Sequence, residues 1–413
     1  HLITRLKQTG LPVYLAVPEA DKDSYKDLDV DGIHVGHPND PMRRMLAASH
    51  EFGIENPIRV NHDKIFICPN LVHEAITLFE ETGAKYLHPT GMTDGLSFEI
   101  IDREFLTRAC ERYQNIEFIS YACKAIASKD DIVSFVPEKK YISDFSLTID
   151  YPNDIRLIEY ILDSIGFTCT ALEAIEFLRS NVWASSINRL PYITVYTCVY
   201  NADQTIDRAL WSVAGQSNWG NIEYVLVDDG SFDGTSDKLL RFSLCFPEGK
   251  VRLLTNGANN GLAYSSARAL DAARGKYIVR LDADDFFCDY SSLEKHLWHV
   301  KSNAQDISYP SRYDGAFNLL YNGADGHHLG GTIFSVGALK FLQFKESLRT
   351  HDSLDIFLKA SQQLKVHYYD HPTYFYSRSP GSLSRTNLEY RNKVKQELFE
   401  QSGMTPEKYR GEY

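Results

Sequence analysis

Thr194-Val195-Tyr196-Thr197-Cys198-Val199-Tyr200-Asn201 is a β-branched and aromatic run that breaks off into polar residues. A short apolar run of this kind predicts a strand covered on both faces. Similar runs recur at Glu223–Val227, Val251–Leu254 and Tyr277–Leu281, and Ile193 extends the first to Ile193–Val199. Helical spacing of apolar residues separates them at Thr205–Ala214, Ser236–Cys245 and Ala263–Ala273. Strand–helix–strand units of this length predict a parallel, doubly wound sheet, whose ligands bind outside the carboxyl ends of the strands.

The residues after those strands are therefore the place to look. The second strand runs into Asp228-Asp229-Gly230-Ser231 and the fourth into Asp282-Ala283-Asp284-Asp285. Two carboxylates spaced by one residue lie on the same side of an extended chain. A hard divalent cation such as magnesium takes one or two carboxylates together with substrate phosphates. Each piece alone also reads as ordinary turn chemistry. Their recurrence at successive strand ends, with Asn260-Gly261 and Arg268 between, points to a rim that seats a metal and a diphosphate.

From Pro191 to Ser384 the chain resembles the family-2, inverting glycosyltransferases of GT-A fold. The carriers are Thr194–Asn201, Asn260-Gly261-Leu262, Ala267-Arg268, Ala273–Ile278 and Asp282–Asp285. The resemblance implies that Thr197 and Tyr200 line a nucleoside pocket and that Asp229, next to Asp228, meets the base. It places Arg268 near the base or phosphates, Asp282 near the ribose and the metal, and Asp284 as main ligand of Mn2+ or Mg2+. UDP-sugar is the expected donor.

The same resemblance implies a carboxylate base at the start of a helix beyond the acceptor loop. The matching stretch is Thr350-His351-Asp352-Ser353-Leu354-Asp355, with His351 where the family usually has Glu. Asp352 is the expected base and Asp355 the runner-up. Asp352 also suits a helix N-cap, with Asp355 completing a box three residues on. Gly330–Phe334 resembles the small-residue strand bordering the acceptor pocket. Tyr376–Ser384 resembles the segment that closes over the diphosphate, with Arg378 as its cation and His371 a weaker candidate. The charged stretch 386–413 predicts a helical tail.

The first part of the chain alternates too. Pro12–Val17 reads as a strand, Met42–Phe52 and Leu71–Thr82 as helices, and Ser146–Ile149 as a further short strand, while Ile58–Val60 and Ile65–Ile67 flank a polar break. Asp94–Ile100 and Leu147–Asp154 resemble the cytidylyltransferases that activate acidic sugars, especially the spore-coat polysaccharide branch. That implies magnesium on Asp63 and Asp150, although Lys64 beside Asp63 competes with a metal. The chain opens at His1 in what reads as the middle of a helix, and that family's first strand and nucleotide loop would precede it.

The fold expected is thus α/β, with two Rossmann-like nucleotide-binding domains joined by a helical linker. The boundaries are 1–152, a linker over 153–190, the GT-A domain over 191–385 and the tail. A net charge of -12 excludes a general nucleic-acid binder. Seven scattered cysteines without C-x-x-C spacing suit reduced thiols in the cytoplasm. No apolar run reaches the ~20 residues that span a bilayer, so association with the inner membrane face would be peripheral. The expected partners are a nucleotide-sugar donor and a glycan or lipid-linked acceptor in surface polysaccharide synthesis, with homo-oligomerisation left open. Two other readings stand beside this one: a bifunctional enzyme that also makes a CMP-sugar, and a scaffold without chemistry.

Overall fold

The computed structural model describes residues 1–114, 119–143, 145–150, 152–187, 192–321, 328–377 and 388–404. They divide into two units, His1–Arg189 and Leu190–Tyr413.

The first unit begins with α1 (Leu2–Lys7), β1 (Tyr14–Pro18), α2 (Lys22–Tyr25), β2 (Gly32–Gly36), α3 (Pro41–Glu51), β3 (Ile58–Arg59) and α4 (Pro69–Thr82). It continues with β4 (Tyr86–Pro89), β5 (Glu99–Ile101), α5 (Arg103–Arg112), α6 (Ile119–Ile126), β6 (Ile132–Phe135), α7 (Pro152–Ile165), α8 (Ala171–Ser180) and α9 (Val182–Ser186). β1 and β2 form a parallel pair, and a second sheet has the order β3-β5-β4-β6. Ser146–Ile149 contributes one isolated bridge, Asp94 to Ser146, in place of a strand. The helical stretch read as a linker packs into this unit's core through Leu157, Ile161, Ala174, Ile175 and Leu178. Helical period predicted those helices, but only packing decides which core a helix serves.

The second unit runs β7 (Ile193–Val199), α10 (Ile206–Ala214), β8 (Ile222–Asp228), α11 (Thr235–Ser243), β9 (Val251–Thr255), α12 (Leu262–Ala272), β10 (Tyr277–Arg280) and β11 (Phe286–Phe287). There follow α13 (Ser292–Ser302), β12 (Ile307–Asp314), β13 (Leu319–Leu320), β14 (Ile333–Ser335), α14 (Val336–Leu342), α15 (Asp352–Gln363), β15 (His367–Tyr376) and α16 (Leu388–Ser402). Its nine-stranded sheet has the order β11-β15-β12-β14-β10-β7-β8-β9, with β13 beside β12. β10, β7, β8 and β9 are mutually parallel, as the alternation predicted. The remaining side is mixed, because β14 joins β10 antiparallel.

Every position of β7 and β8 is buried, which is why these strands read as unbroken apolar runs. Each fully buried Val, Leu or Ile side chain there contributes roughly 1.5–3 kcal/mol. α16 is mostly polar but docks Val394, Leu398 and Phe399 against Leu354 and Leu358 of α15 and Ala263 of α12. Among the described residues no helix is long and apolar enough to cross a membrane.

Candidate functional site

The parallel register carries β7, β8 and β9 to one rim, pairing Val199 with Asp228 and Asp228 with Thr255. Thr197 lies below that rim, fully buried, donating to the Leu281 carbonyl at 2.7 Å and sharing a hydrogen bond with the Tyr224 hydroxyl at 2.9 Å. Asp228 is also buried and folds its own turn, accepting from the Ser231 amide at 3.0 Å and from the Ser236 hydroxyl. Asp229 reaches across to the next strand end. It accepts from the backbone amides of Asn260 (3.0 Å) and Gly261 (2.7 Å) and from the Asn256 side chain. Arg268 completes this braid by donating to the Thr255 carbonyl at 3.0 Å and to Asn256. Gly230 is required here, since its φ is +81° and a Cβ would lie 2.8 Å from the Ala258 carbonyl carbon. The strand-end polar residues thus fix the shape of the rim.

Tyr200 stands on the rim itself, 43% exposed, with its ring edge-on to exposed Phe232 at 6.1 Å. Cys198 forms part of the buried floor. Burial pushes its thiol up to about 12, and Arg280, Asp282 and Asp229 are all close enough to act on it. Two strand ends therefore converge around one side chain.

Arg280 organises the centre and was missed by the sequence reading. It ends β10, is 4% exposed, and faces two carboxylates. Its Nε lies 2.9 Å from Asp282 Oδ1, and its Nη1 donates to Asp352 Oδ2 at 2.5 Å. Asp282 sits two residues beyond it, whereas Asp352 arrives from α15, 72 positions away. Burial pushes the Asp282 carboxyl up, Arg280 opposes this, and Asp284 and Asp352 add to it. The signal was legible: a guanidinium in an otherwise apolar strand must meet a counter-charge. Asn256 was passed over likewise, because the third strand end was left unread.

Asp284 follows at a half-buried position. Its carbonyl accepts from Arg208 Nη2 at 2.8 Å, and the same nitrogen donates to the Ser377 hydroxyl at 3.0 Å. Asp285 is buried; its Oδ1 accepts from the Ser377 amide at 2.7 Å, and its Oδ2 has no hydrogen-bond partner among the described residues. Burial pushes its carboxyl well above the ordinary range, and Asp282 and Asp284 add to that. Among the described residues no three His, Cys, Asp or Glu side chains group to hold an ion by themselves. One or two rim carboxylates completed by ligand phosphates is nevertheless the donor set magnesium commonly takes. Asp284, with Asp282 behind it, fits that description.

On the acceptor side, α15 begins at Asp352 with His351 in the cap position at φ 63° and without a side-chain cap bond. Asp352 is 8% exposed, and its Oδ2 is taken by Arg280. Asp355 is pulled aside by Lys359, one helical turn on, at 2.7 Å. Burial pushes the His351 imidazole down, Arg391 and Lys395 of α16 push it further, and Asp352 opposes them. Of the closing segment, Tyr376 ends β15 and Ser377 meets Arg208 and Asp285, Arg378 and residues 379–384 lie outside the described residues, and His371 is exposed on β15.

In the first unit, Asp63 accepts from the Thr148 hydroxyl at 2.8 Å. Lys64 Nζ stands 3.2 Å from Asp63 and 3.5 Å from Asp94. Burial raises the Asp63 carboxyl, but Lys64 and Thr148 outweigh it and hold it below its ordinary value. Asp150 donates its amide to Asp154 at 3.1 Å. An ammonium thus stands between Asp63 and Asp94 and competes with a metal at Asp63, whose Oδ1 is buried without a hydrogen-bond partner among the described residues. The Asp94–Ile100 stretch is anchored at Gly95, where φ is +100° and a Cβ would lie 2.3 Å from the Leu147 carbonyl carbon.

Residues 194–353 match the family described as Glycosyl transferase family 2. Among curated relatives, UDP-Glc:alpha-D-GlcNAc-diphosphoundecaprenol beta-1,3-glucosyltransferase WfgD of Escherichia coli is 39% identical over 123 residues, covering 30% of this chain and 44% of that one. Chondroitin synthase of Escherichia coli is 31% identical over 205 residues, covering 45% of this chain and 28% of that one. The chain thus spans less than half the length of these relatives. Residues 1–349 of TarS from S. aureus, solved with UDP-GlcNAc, align at 18% identity and a TM-score of 0.44, covering 50% of this chain and 65% of that one. The matched stretch carries the rim, Arg280 and Asp352.

Proposed function

We propose that the second unit transfers a sugar, with inversion, from a nucleoside-diphosphate donor to a glycan or lipid-linked acceptor in polysaccharide synthesis. UDP-sugar is the leading donor, since WfgD carries UDP-Glc in its name. One observation carries the reading: a single guanidinium joins the D-x-D strand end to the carboxylate that begins α15. The donor side and the acceptor side are thereby held in fixed relation.

Asp284 would hold the divalent ion, with Asp282 behind it, and the ion would offset charge on the departing diphosphate. The acceptor hydroxyl attacks the anomeric carbon on the face opposite the phosphate, and the bond from that carbon to the phosphate oxygen breaks. Asp352 Oδ1 takes the hydroxyl proton, while Arg280 keeps the carboxylate aimed through Oδ2. Tyr200 offers its face to the base, and the braid around Asp229 keeps the pocket wall in place.

Calorimetry with UDP and manganese, alongside turnover on a screen of UDP-sugars, tests the assignment. Asp284→Asn is expected to lose manganese-dependent UDP binding. Asp352→Asn is expected to keep that binding while kcat falls about 10²–10⁴-fold, the usual range for a lost general base. Undiminished turnover by Asp352→Asn would overturn its role; undiminished metal-dependent binding by Asp284→Asn would overturn the donor site.

A further inference from the structure

The D-x-D strand end turns back on itself before it reaches β11. The Asp285 amide donates to the Asp282 carbonyl at 3.0 Å, which closes a turn over Ala283 and Asp284. The carbonyl of that same peptide unit belongs to Asp284, and it accepts from Arg208 Nη2 at 2.8 Å. One peptide plane is therefore held at both ends, once from within its own turn and once from α10, 76 positions away. It is the plane that joins Asp284, the residue expected to meet the ion, to Asp285.

Arg208 is an odd residue to find in this place. It is exposed and stands in the first turn of α10, where the helix dipole disfavours a cation. Fixing so long a side chain also costs rotamer entropy. Here it is fixed three times over. Besides the Asp284 carbonyl, Nη2 donates to the Ser377 hydroxyl at 3.0 Å. The guanidinium carbon lies 4.2 Å from the centre of the Phe286 ring, within reach of a cation–π contact. Phe286 is itself stacked on Phe375 at 4.7 Å, so the ring beneath the guanidinium is backed by the sheet. Ser377 is gripped a second time, its amide donating to fully buried Asp285 at 2.7 Å. One guanidinium and one buried carboxylate thus tie the D-x-D turn, α10 and the end of β15 together.

We propose that Arg208 is a positioning residue for the donor site, fixing the Asp284–Asp285 peptide so that the Asp284 carboxylate is set before the metal–diphosphate arrives. The inference rests on the glycosyl-transfer reading, which gives the ion to Asp284. A carboxylate on a turn swings with its own peptide plane. An ion held by one or two protein ligands has few others to correct that swing, and magnesium demands near-ideal geometry. A guanidinium cannot ligate a cation itself, so any effect of Arg208 on the ion passes through the backbone of Asp284. Groups that orient a metal ligand in this way typically change metal affinity 10–100-fold when removed.

The test compares full-length wild type with Arg208→Met, which keeps an apolar stem on Phe286 but loses the donors, and Arg208→Ala, which loses both. Deuterium exchange of the metal-free proteins is followed by mass spectrometry over residues 280–290. UDP affinity is measured by calorimetry with manganese and again in EDTA. Both variants should melt close to the wild type, and their Asp285 amide should exchange faster while the amides of β7 keep the wild-type rate. Manganese-dependent UDP affinity should fall at least tenfold in both, with the affinity in EDTA unchanged. Wild-type exchange and wild-type affinity in both variants would overturn the proposal. So would weaker UDP binding in EDTA, which would mean that the guanidinium meets the diphosphate itself. A loss confined to Arg208→Ala would assign the effect to packing on Phe286 and overturn it too. Absence of manganese-dependent UDP binding in the wild type indicts the donor-site reading instead, and the exchange comparison then still decides whether Arg208 holds the turn.

Discussion

Both units place a cation between two carboxylates, and the two arrangements differ in what they leave over. In the first, Lys64 lies between Asp63 and Asp94, and Thr148 binds both Asp63 and the lysine. In the second, Arg280 lies between Asp282 and Asp352, and a third carboxylate, Asp284, stands at the rim beyond the clamp. Lysine is a compact point charge that cancels its neighbours; arginine is a planar fork that can orient two partners at once. In the first cluster the lysine and Thr148 both meet Asp63 Oδ2, while Asp63 Oδ1 is buried without a hydrogen-bond partner among the described residues. The second is an oriented pair with acid to spare, which is what a metal–diphosphate and a proton transfer both need.

Replacing the fork should break this comparison most severely. Arg280→Met leaves Asp282 and Asp352 buried without their counter-charge, and removing one partner of such a group costs about 3–5 kcal/mol. Urea unfolding should show that loss, with Arg280→Lys recovering part of the stability but not the turnover. Stability equal to wild type in Arg280→Met would mean that the clamp holds nothing.

His296 supplies the opposite case, a buried titratable group with no counter-ion. It is fully buried, bonded through Nε2 to Ser308 at 3.0 Å and stacked on Tyr369 at 4.7 Å. Burial pushes its imidazole down to about 3, with His299 adding to the effect. An unfolded histidine titrates near 6.5, so between these values the unfolded chain takes up a proton that the folded one refuses. Its contribution to stability is full above about pH 6.5 and falls by about 1.4 kcal/mol per pH unit as pH drops toward 3. His296→Gln should remove that slope from the difference between the two proteins' unfolding curves. Parallel curves across the window would show that His296 is hydrated rather than buried.

Lys64→Met tests the first cluster. Its ion pairs are partly exposed, between the surface and buried cases, so a cost of about 1–2 kcal/mol is expected. Manganese, which should not bind at Asp63 in the wild type, should gain a weak site there, read by paramagnetic broadening around Asp94. Broadening already present in the wild type would restore a metal to the first unit.

The smallest effect separates the two acidic residues of α15. Lys359→Ala releases Asp355 and should cost only about 0.3–0.5 kcal/mol, as for other i,i+4 pairs, with kcat unchanged. A drop in kcat beyond tenfold would promote Asp355 from helix partner to the chemistry.

The parallel half of the second sheet was legible because buried strands and the helices between them impose periods that survive in the sequence. The strand-end rule led to Asp229, Asp282 and Asp284 for the same reason. It could not show that Asp229 would be consumed by the amides of Asn260 and Gly261, since a carboxylate looks the same whether it meets a ligand or a loop. The helices over 153–190 were readable as helices, yet their membership of the first core was not, because an apolar stripe does not name its partner.

By itself, then, the sequence determined the parallel strands of the second unit, the helices between them and the acids at their ends, since these follow from local spacing and chemistry. Only the tertiary structure decided that Arg280 would join Asp282 to Asp352 and that Arg208 would reach the Asp284 carbonyl. Such pairings are made by long-range packing, where charge and shape are matched between segments that nothing in their local sequence connects.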